Sequence, residues 1–402
     1  MIKGLEKAIA CCKCNGLFRH RRTYADEIVI KFAAPEVLFL MRRCGTAFTL
    51  LILTFSNTHA QPLFSKPSVA ARFFWGSFVT HLPKAAYLRD SYSYFGELSV
   101  QQQTDGRYDW QRSNGLPQLG VALQYGNSGS KQYIGRMMGV FPFMNWKLYN
   151  SRDFTSGFRA GVGLGWVQKP YDVITNHKNI LLGTHTNAYI NFLWENDVRL
   201  FSNLHIGAGL SFTHLSNGSS TLPNLGLNIP AVSLGLRYGL DRPTVIAQVK
   251  GEVSIRPSRW VFFTTVGFKQ APWVGGKRYI TNSLKAEWNR PLWRSGHYSA
   301  GAVLFYNPAL VIDPAGILDH TQNGVIHKVQ AGAFVGYEHL LGRLSIPLQL
   351  GVYVYNHNSY PTIFQELGLR YRINQRWSTE LAMKAHMGRA DFIHAGLGYH
   401  IK

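Results

Sequence analysis

A histidine and a serine, His214 and Ser216, lie two residues apart at the end of an alternating apolar segment. Successive side chains of a β-strand point to opposite faces, so these two side chains share one face. A serine beside a histidine can act as a nucleophile that passes its proton to a neighbouring base. The spacing therefore predicts serine-type hydrolysis of an ester.

A third polar residue, Asn228, begins the next alternating segment twelve residues after the serine. A hairpin would bring Asn228 beside His214, where its side-chain oxygen can orient the imidazole ring. The backbone N–H groups of Asn217 and Gly218 follow the serine and are expected to face the developing oxyanion. We predict a catalytic site of His214, Ser216 and Asn228 without a metal ion.

The segment before His214 indicates which way the site points. One row is apolar and continues directly into His214 and Ser216, whereas the opposite row is mostly small or polar. In a transmembrane β-barrel the apolar row faces lipid. The site is therefore expected on the outer wall of a barrel, at a strand end where polar groups can satisfy each other near the membrane interface. The apolar row consists of Leu204, Ile206, Ala208, Leu210 and Phe212.

Alternation of period two recurs in almost every segment after residue 65, for example in 346–354 and 393–401. Charged residues make up only 16% of the chain, while aromatic residues make up 13% and glycine is plentiful. Strands of about ten residues with one apolar and one small or polar face are typical of outer-membrane barrels. We predict an all-β fold, a transmembrane antiparallel β-barrel of the outer membrane with about 12–16 strands, and one barrel over residues 61–402.

The first 60 residues have the composition of a leader. Residues 41–60 combine a positive start, a short apolar segment and a small-residue end at Ala60, which is the layout of a cleaved signal peptide. We expect residues 1–40 to lie upstream of the true start at Met41. All four cysteines precede Ala60, so the exported chain is expected to have no disulfide.

The expected mature chain, 61–402, carries 33 basic and 17 acidic residues, a net charge of +16. Such an excess suits an anionic partner. The basic residues are scattered through strands and turns without a dense run, which favours a phosphate-rich lipid surface over nucleic acid. The sequence leaves the oligomeric state open.

The chain from about Tyr94 to Tyr238 resembles the lipid A deacylases of the outer membrane, also called acyloxyacyl hydrolases. This resemblance implies an outer-membrane barrel esterase with its histidine and serine at His214 and Ser216. The best-known members carry glutamate where this chain has Asn228. The likeness lies in Thr213 to Gly218, Pro223 to Asn228, Gly161 to Trp166, Asn176 to Asn179, and Asn187.

The stretch from His214 to Gly218 also looks like the motif of outer-membrane phospholipase A. That family uses asparagine at the position that matches Asn228, but its calcium-linked arginine falls at Ser219 here. Calcium is therefore a cofactor only under this alternative. The Pro-Asn-x-Gly stretch at 223–226 and the upstream segments favour the deacylases.

The sequence thus predicts a lipid A deacylase that acts on lipopolysaccharide in the outer membrane and needs no cofactor. A phospholipase that acts on phospholipid is the first alternative. A non-catalytic pore or structural barrel with a degenerate motif is the second. The sequence does not indicate which acyl chain is removed.

Overall fold

The structure, a computed structural model, describes residues 67–80, 82–240, 257–312, 324–356 and 361–401. The leader predicted at 1–60, with its signal peptide at 41–60, lies outside the described residues. No helix among the described residues is long and apolar enough to cross a membrane.

The first eight strands form a closed antiparallel barrel. Each strand pairs with the next along the chain, and β1 pairs with β8 to close the ring, with Ala71 opposite Leu236. The connections include a 3₁₀ helix at Pro83–Leu88 and a short helix, α1, at Asp109–Ser113. The strands are β1 (Pro67–Gly76), β2 (Ser93–Gln103), β3 (Gln118–Asn127), β4 (Arg136–Asn150), β5 (Phe154–Val167), β6 (Thr186–Arg199), β7 (Leu204–Ser216) and β8 (Leu227–Gly239).

The last eight strands form a second closed barrel of the same kind. The final strand returns to the first strand of this set, with Gly396 opposite Thr265. Two 3₁₀ helices, Pro308–Val311 and Val325–Lys328, lie in one connection. The strands are β9 (Arg259–Gln270), β10 (Arg278–Trp293), β11 (Gly296–Tyr306), β12 (Val329–Leu341), β13 (Leu344–Asn356), β14 (Ile363–Arg372), β15 (Trp377–His386) and β16 (Arg389–Ile401).

The all-β antiparallel barrel class predicted from the sequence is confirmed, and the sixteen described strands are divided between two barrels of eight. The expectation of one barrel over 61–402 is corrected, because these strands close in two sets of eight. Alternation reports which face of a strand is apolar, and that pattern is the same in one large ring and in two small ones. What distinguishes two small rings from one large ring is the pairing of β8 with β1, and the alternation contains no signal for that pairing.

Both barrels expose apolar side chains on their outer walls. In the first barrel Leu98 is 65% exposed and Leu210 is 55% exposed, and in the second Leu284 is 60% exposed. Burial alternates along β2 and β10, so the residues next to each exposed leucine are buried inside the barrel. An outward apolar band over a polar interior is the surface of a transmembrane barrel.

The interior of the first barrel is filled by paired charges. Glu97 accepts hydrogen bonds from Arg159 at 2.7 Å through each of its carboxylate oxygens, and from Arg72 at 3.0 Å. Arg72 also makes a bidentate contact with Glu195. An eight-stranded barrel is just wide enough for side chains to fill it. These charged groups are therefore buried away from solvent, and each needs its ion-pair partner to compensate for the loss of hydration.

The interior of the second barrel follows the same plan. Arg370 contacts Glu287 at 2.9 Å and Glu380 at 2.6 Å, and Lys285 contacts Glu380 at 2.8 Å. All four side chains are buried. Both interiors are therefore packed with polar side chains. Where these ion pairs lie, neither barrel has room for a wide aqueous pore.

Candidate active site at the ends of strands β7 and β8

The register of β7 and β8 brings the predicted histidine and asparagine together. His214 and Asn228 are directly opposite partners, and His214 Nδ1 lies 2.6 Å from Asn228 Oδ1. The backbone N–H of Val79 donates to the carbonyl oxygen of Asn228 at 2.8 Å and fixes its position. An amide oxygen only accepts, so Nδ1 carries the proton and the basic lone pair of the neutral ring is on Nε2.

Ser216 continues the outward row of β7, as the alternation predicted. Leu210 and Phe212 on this row are exposed, His214 is half-buried, and Ser216 is only 8% exposed. Burial increases toward the strand end because the loop 217–226 folds over it. The serine and histidine thus lie on the outer wall, under a cover of protein.

Asn224 contacts the serine hydroxyl through both atoms of its side-chain amide. Asn224 Nδ2 lies 2.9 Å from Ser216 Oγ, and Asn224 Oδ1 lies 3.2 Å from the same oxygen. The backbone N–H of Gly218 also donates to Ser216 Oγ at 3.2 Å. The sequence analysis assigned no role to Asn224, although this residue belongs to the Pro-Asn-x-Gly stretch that carries the family resemblance.

Asn217 connects the serine to the surrounding loops. Its backbone N–H donates to Asn224 Oδ1 at 3.1 Å. Its side-chain Nδ2 donates to the carbonyl of Thr221 at 2.8 Å and to the hydroxyl of Thr184 at 3.2 Å. Of the two backbone N–H groups predicted to bind an oxyanion, that of Gly218 is aimed at Ser216 Oγ, whereas that of Asn217 is occupied by Asn224.

The loop between β5 and β6 supports this arrangement from the side. Asn179 is fully buried, and its side chain donates to the carbonyl of Lys169 and accepts from the backbone N–H of Leu181. The carbonyl of Leu181 in turn accepts from the N–H of Gly226 at 3.0 Å. Two of the upstream residues that carried the sequence resemblance, Asn179 and Asn187, thus shape loops that hold the site.

Gly226 lies directly against the catalytic histidine candidate. Its φ is +76°, a left-handed conformation in which glycine is favoured. A Cβ at this position would lie 2.9 Å from His214 Cε1. Glycine is therefore required both by the turn and by the space that the imidazole ring occupies.

A second histidine has partners of a similar kind but lies inside the second barrel. His394 Nδ1 is 2.9 Å from Thr265 Oγ1, and His394 Nε2 is 3.1 Å from Glu366 Oε1. All three side chains are at most 2% exposed. A lipid has no access to this interior, so the group is read as part of the packed core.

No cluster of three or more His, Cys, Asp or Glu side chains suited to a metal ion occurs within the described ranges. The position that would hold the calcium-linked arginine of the phospholipases is Ser219, whose hydroxyl donates to the carbonyl of Ala390 at 2.7 Å. The described residues around Ser216 are neutral amides, hydroxyls and one imidazole.

Two family models match the chain, one on each barrel. Residues 94–237 match the model described as lipid A 3-O-deacylase (PagL), and residues 258–402 match the acyloxyacyl hydrolase C-terminal domain. Together the two matches cover more than two thirds of the 402 residues. Each barrel thus matches a model of the lipid A deacylase (acyloxyacyl hydrolase) family. No curated protein matches it in sequence.

Solved structures similar to this chain include outer-membrane barrels at low sequence identity. The crystal structure of the outer membrane enzyme PagL covers 42% of this chain and 97% of its own, at 16% identity and a TM-score of 0.29. Neisserial surface protein A covers 43% of this chain and 97% of its own, at 10% identity and a TM-score of 0.31. The Pseudomonas putida toluene transporter TodX covers 84% and 89%, at 9% identity and a TM-score of 0.16.

Replacing Asn228 tests whether it orients His214 for catalysis. Asn228→Ala removes the acceptor of His214 Nδ1–H, so we expect kcat for lipid A deacylation to fall by about 10²-fold with little change in KM. Asn228→Glu supplies a charged acceptor, which stabilises an imidazolium better than an amide does, and is expected to retain or exceed wild-type kcat. An unchanged kcat in Asn228→Ala would remove Asn228 from the site.

Proposed function

We propose that the protein is a lipid A deacylase of the outer membrane, a serine esterase that releases a fatty acid from an acyl ester of lipid A. The observation that carries the proposal is the 2.6 Å contact of His214 with Asn228, beside Ser216 on the outward row of β7. The contact lies within the segment that matches the lipid A 3-O-deacylase model.

In the proposed mechanism, Ser216 Oγ passes its proton to His214 Nε2 and attacks the ester carbonyl carbon. Asn228 Oδ1 holds the ring in the required tautomer and stabilises the imidazolium that forms. The imidazolium then protonates the departing lipid A alcohol. Water, activated by the same histidine, hydrolyses the acyl-enzyme and releases the fatty acid.

The negative charge that develops on the carbonyl oxygen needs donors next to Ser216. We assign this role to the backbone N–H of Gly218 and to Asn224 Nδ2, which lie 3.2 Å and 2.9 Å from Ser216 Oγ. The N–H of Asn217 can join them after Asn224 Oδ1 moves away. Such preorganised donors supply a large share of the rate enhancement in acyl transfer. The mechanism uses no metal ion or other cofactor.

The outer wall suits a substrate that stays in the membrane. Ser216 lies at the end of a lipid-facing row, so a lipid can present its acyl ester from the bilayer without leaving it. Lipid A carries phosphates, and the net charge of +16 over residues 61–402 favours a phosphate-bearing lipid. Phospholipids share this property, which keeps phospholipase activity as the alternative to test.

Mass spectrometry of lipid A and phospholipids distinguishes the candidates. In cells that express the full chain, we expect lipid A to lose one acyl chain with the wild type and to stay intact with Ser216→Ala. Release of lysophospholipid, strengthened by calcium, would instead indicate a phospholipase. Identical lipid profiles from two folded, membrane-inserted proteins would contradict both activities and favour a pore or structural barrel.

A further inference from the structure

The loop that carries the proposed oxyanion donors contains two consecutive residues in the left-handed conformation, Gly218 with φ +63° and Ser219 with φ +62°. For a serine this conformation costs roughly 1–2 kcal/mol. Such strain persists only where the surroundings impose it, and it is concentrated at functional sites. The surroundings of this loop therefore decide whether Gly218 keeps its orientation toward Ser216.

Part of those surroundings comes from the second barrel. Ser219 Oγ donates to the carbonyl of Ala390 at 2.7 Å, and the backbone N–H of Leu222 donates to Gln270 Oε1 at 2.8 Å. Arg278 Nη2 donates to Thr221 Oγ1 at 2.8 Å. Three successive parts of the loop are thus tied to β9, β10 and the start of β16.

Ile393 lies directly against the loop at Gly218. A Cβ on Gly218 would lie 2.3 Å from Ile393 Cδ1 and 2.6 Å from Ile393 Cγ1. Ile393 belongs to the outward row of β16, and it is partly buried, whereas Leu397 on the same row is 50% exposed. The loop of the first barrel therefore lies against the Ile393 side chain of the second.

From these contacts we propose that the second barrel is part of the catalytic site. Ile393 and Gln270 act as positioning residues, which hold the loop 217–222 so that the Gly218 N–H stays aimed at Ser216 Oγ. The inference rests on the proposed function, and it assigns a role in the reaction to the acyloxyacyl hydrolase C-terminal domain. Since a misplacement of about 1 Å costs about 10²-fold in rate, loosening this loop is expected to lower kcat more than it raises KM.

The matched control is Asn114→Ala. Asn114 Nδ2 donates to the carbonyl of Leu340 at 3.1 Å, which is also a contact between the barrels but lies at the opposite strand ends, remote from Ser216. The proposal predicts that Ile393→Ala and Gln270→Ala each lower kcat by about tenfold in the full chain, whereas Asn114→Ala leaves kcat unchanged. Equal losses in all three variants would indicate general stabilisation and overturn the positioning role.

A rescue experiment separates positioning from stability. Gly218→Ala alone is expected to lower kcat by about 10²-fold, because its methyl group meets Ile393 and because alanine is strained at φ +63°. In Gly218→Ala/Ile393→Ala the methyl group enters the vacated space, and kcat should recover about tenfold relative to Gly218→Ala. The φ strain is the same in both variants, so no recovery in the double variant, with both proteins folded, would contradict the positioning role of Ile393.

Hydrogen exchange at the loop amides gives a readout that does not need a substrate. Gln270→Ala should accelerate exchange of the Leu222 amide by at least about tenfold, while Asn114→Ala should not. If the wild type is active but Gln270→Ala and Ile393→Ala change neither amide exchange nor kcat, the inference is wrong and the proposed function stands. A folded wild type that leaves lipid A intact would overturn the proposed function, and with it the inference.

Discussion

Ser216→Ala is expected to lower kcat/KM for lipid A deacylation by about 10⁴-fold or more, because no other group replaces the nucleophile. His214→Ala should cause a loss of the same order, since the serine then has no base. The double variant should be no worse than either single variant, because the two residues act in one step. Purified enzyme in micelles with lipid A provides the rates.

The matched control for this prediction is Ser220→Ala, since Ser220 lies four residues after the nucleophile in the same loop and has an exposed side chain. It should retain wild-type kcat/KM. Circular dichroism of each variant checks that the barrels are folded. If Ser216→Ala keeps more than a tenth of the wild-type rate, another nucleophile performs the reaction and the proposed mechanism is wrong.

Much of the site geometry could be predicted from the sequence. Alternation alone put His214 and Ser216 on one face, and the polar start of the next segment put Asn228 beside them, where the 2.6 Å contact is found. Asn224 escaped this reasoning because it lies in an irregular loop, where no periodicity relates sequence position to direction. The contact of Ile393 with Gly218 could not be predicted either, since it joins residues 175 positions apart on different barrels.

The fold shows the same limit at a larger scale. β7 has the predicted faces, with Leu210 outward and Thr213 buried, and β8 alternates in the same way, with Leu234 outward and Ile229 buried. These faces are fixed by local pattern, whereas ring size is fixed by which distant strands pair. The buried charges relate to ring size, because a narrow barrel removes them from water. Arg72, Glu97 and Arg159 are compatible with such an interior only when they neutralise one another.

Glu97→Ala is therefore expected to destabilise the first barrel strongly. The substitution leaves Arg159 without both of its carboxylate contacts and Arg72 without one, while all three positions stay at most 5% exposed. Breaking a buried ion pair from one side costs about 3–5 kcal/mol. We expect a loss of that size in the free energy of unfolding, measured by urea titration of the protein in lipid vesicles.

Two companion variants make this measurement specific to the charge network. Gln101→Ala removes a buried neutral side chain from the same interior and should cost about 1 kcal/mol. Glu97→Gln/Arg159→Met removes one charge of each sign, so its cost should be smaller than the sum of the single variants. In a single wide barrel Glu97 would face water in the lumen, and its removal would cost no more than that of Gln101. A large, coupled loss supports closure at eight strands, which sets β1 beside β8 and lets the backbone N–H of Val79 reach the carbonyl of Asn228.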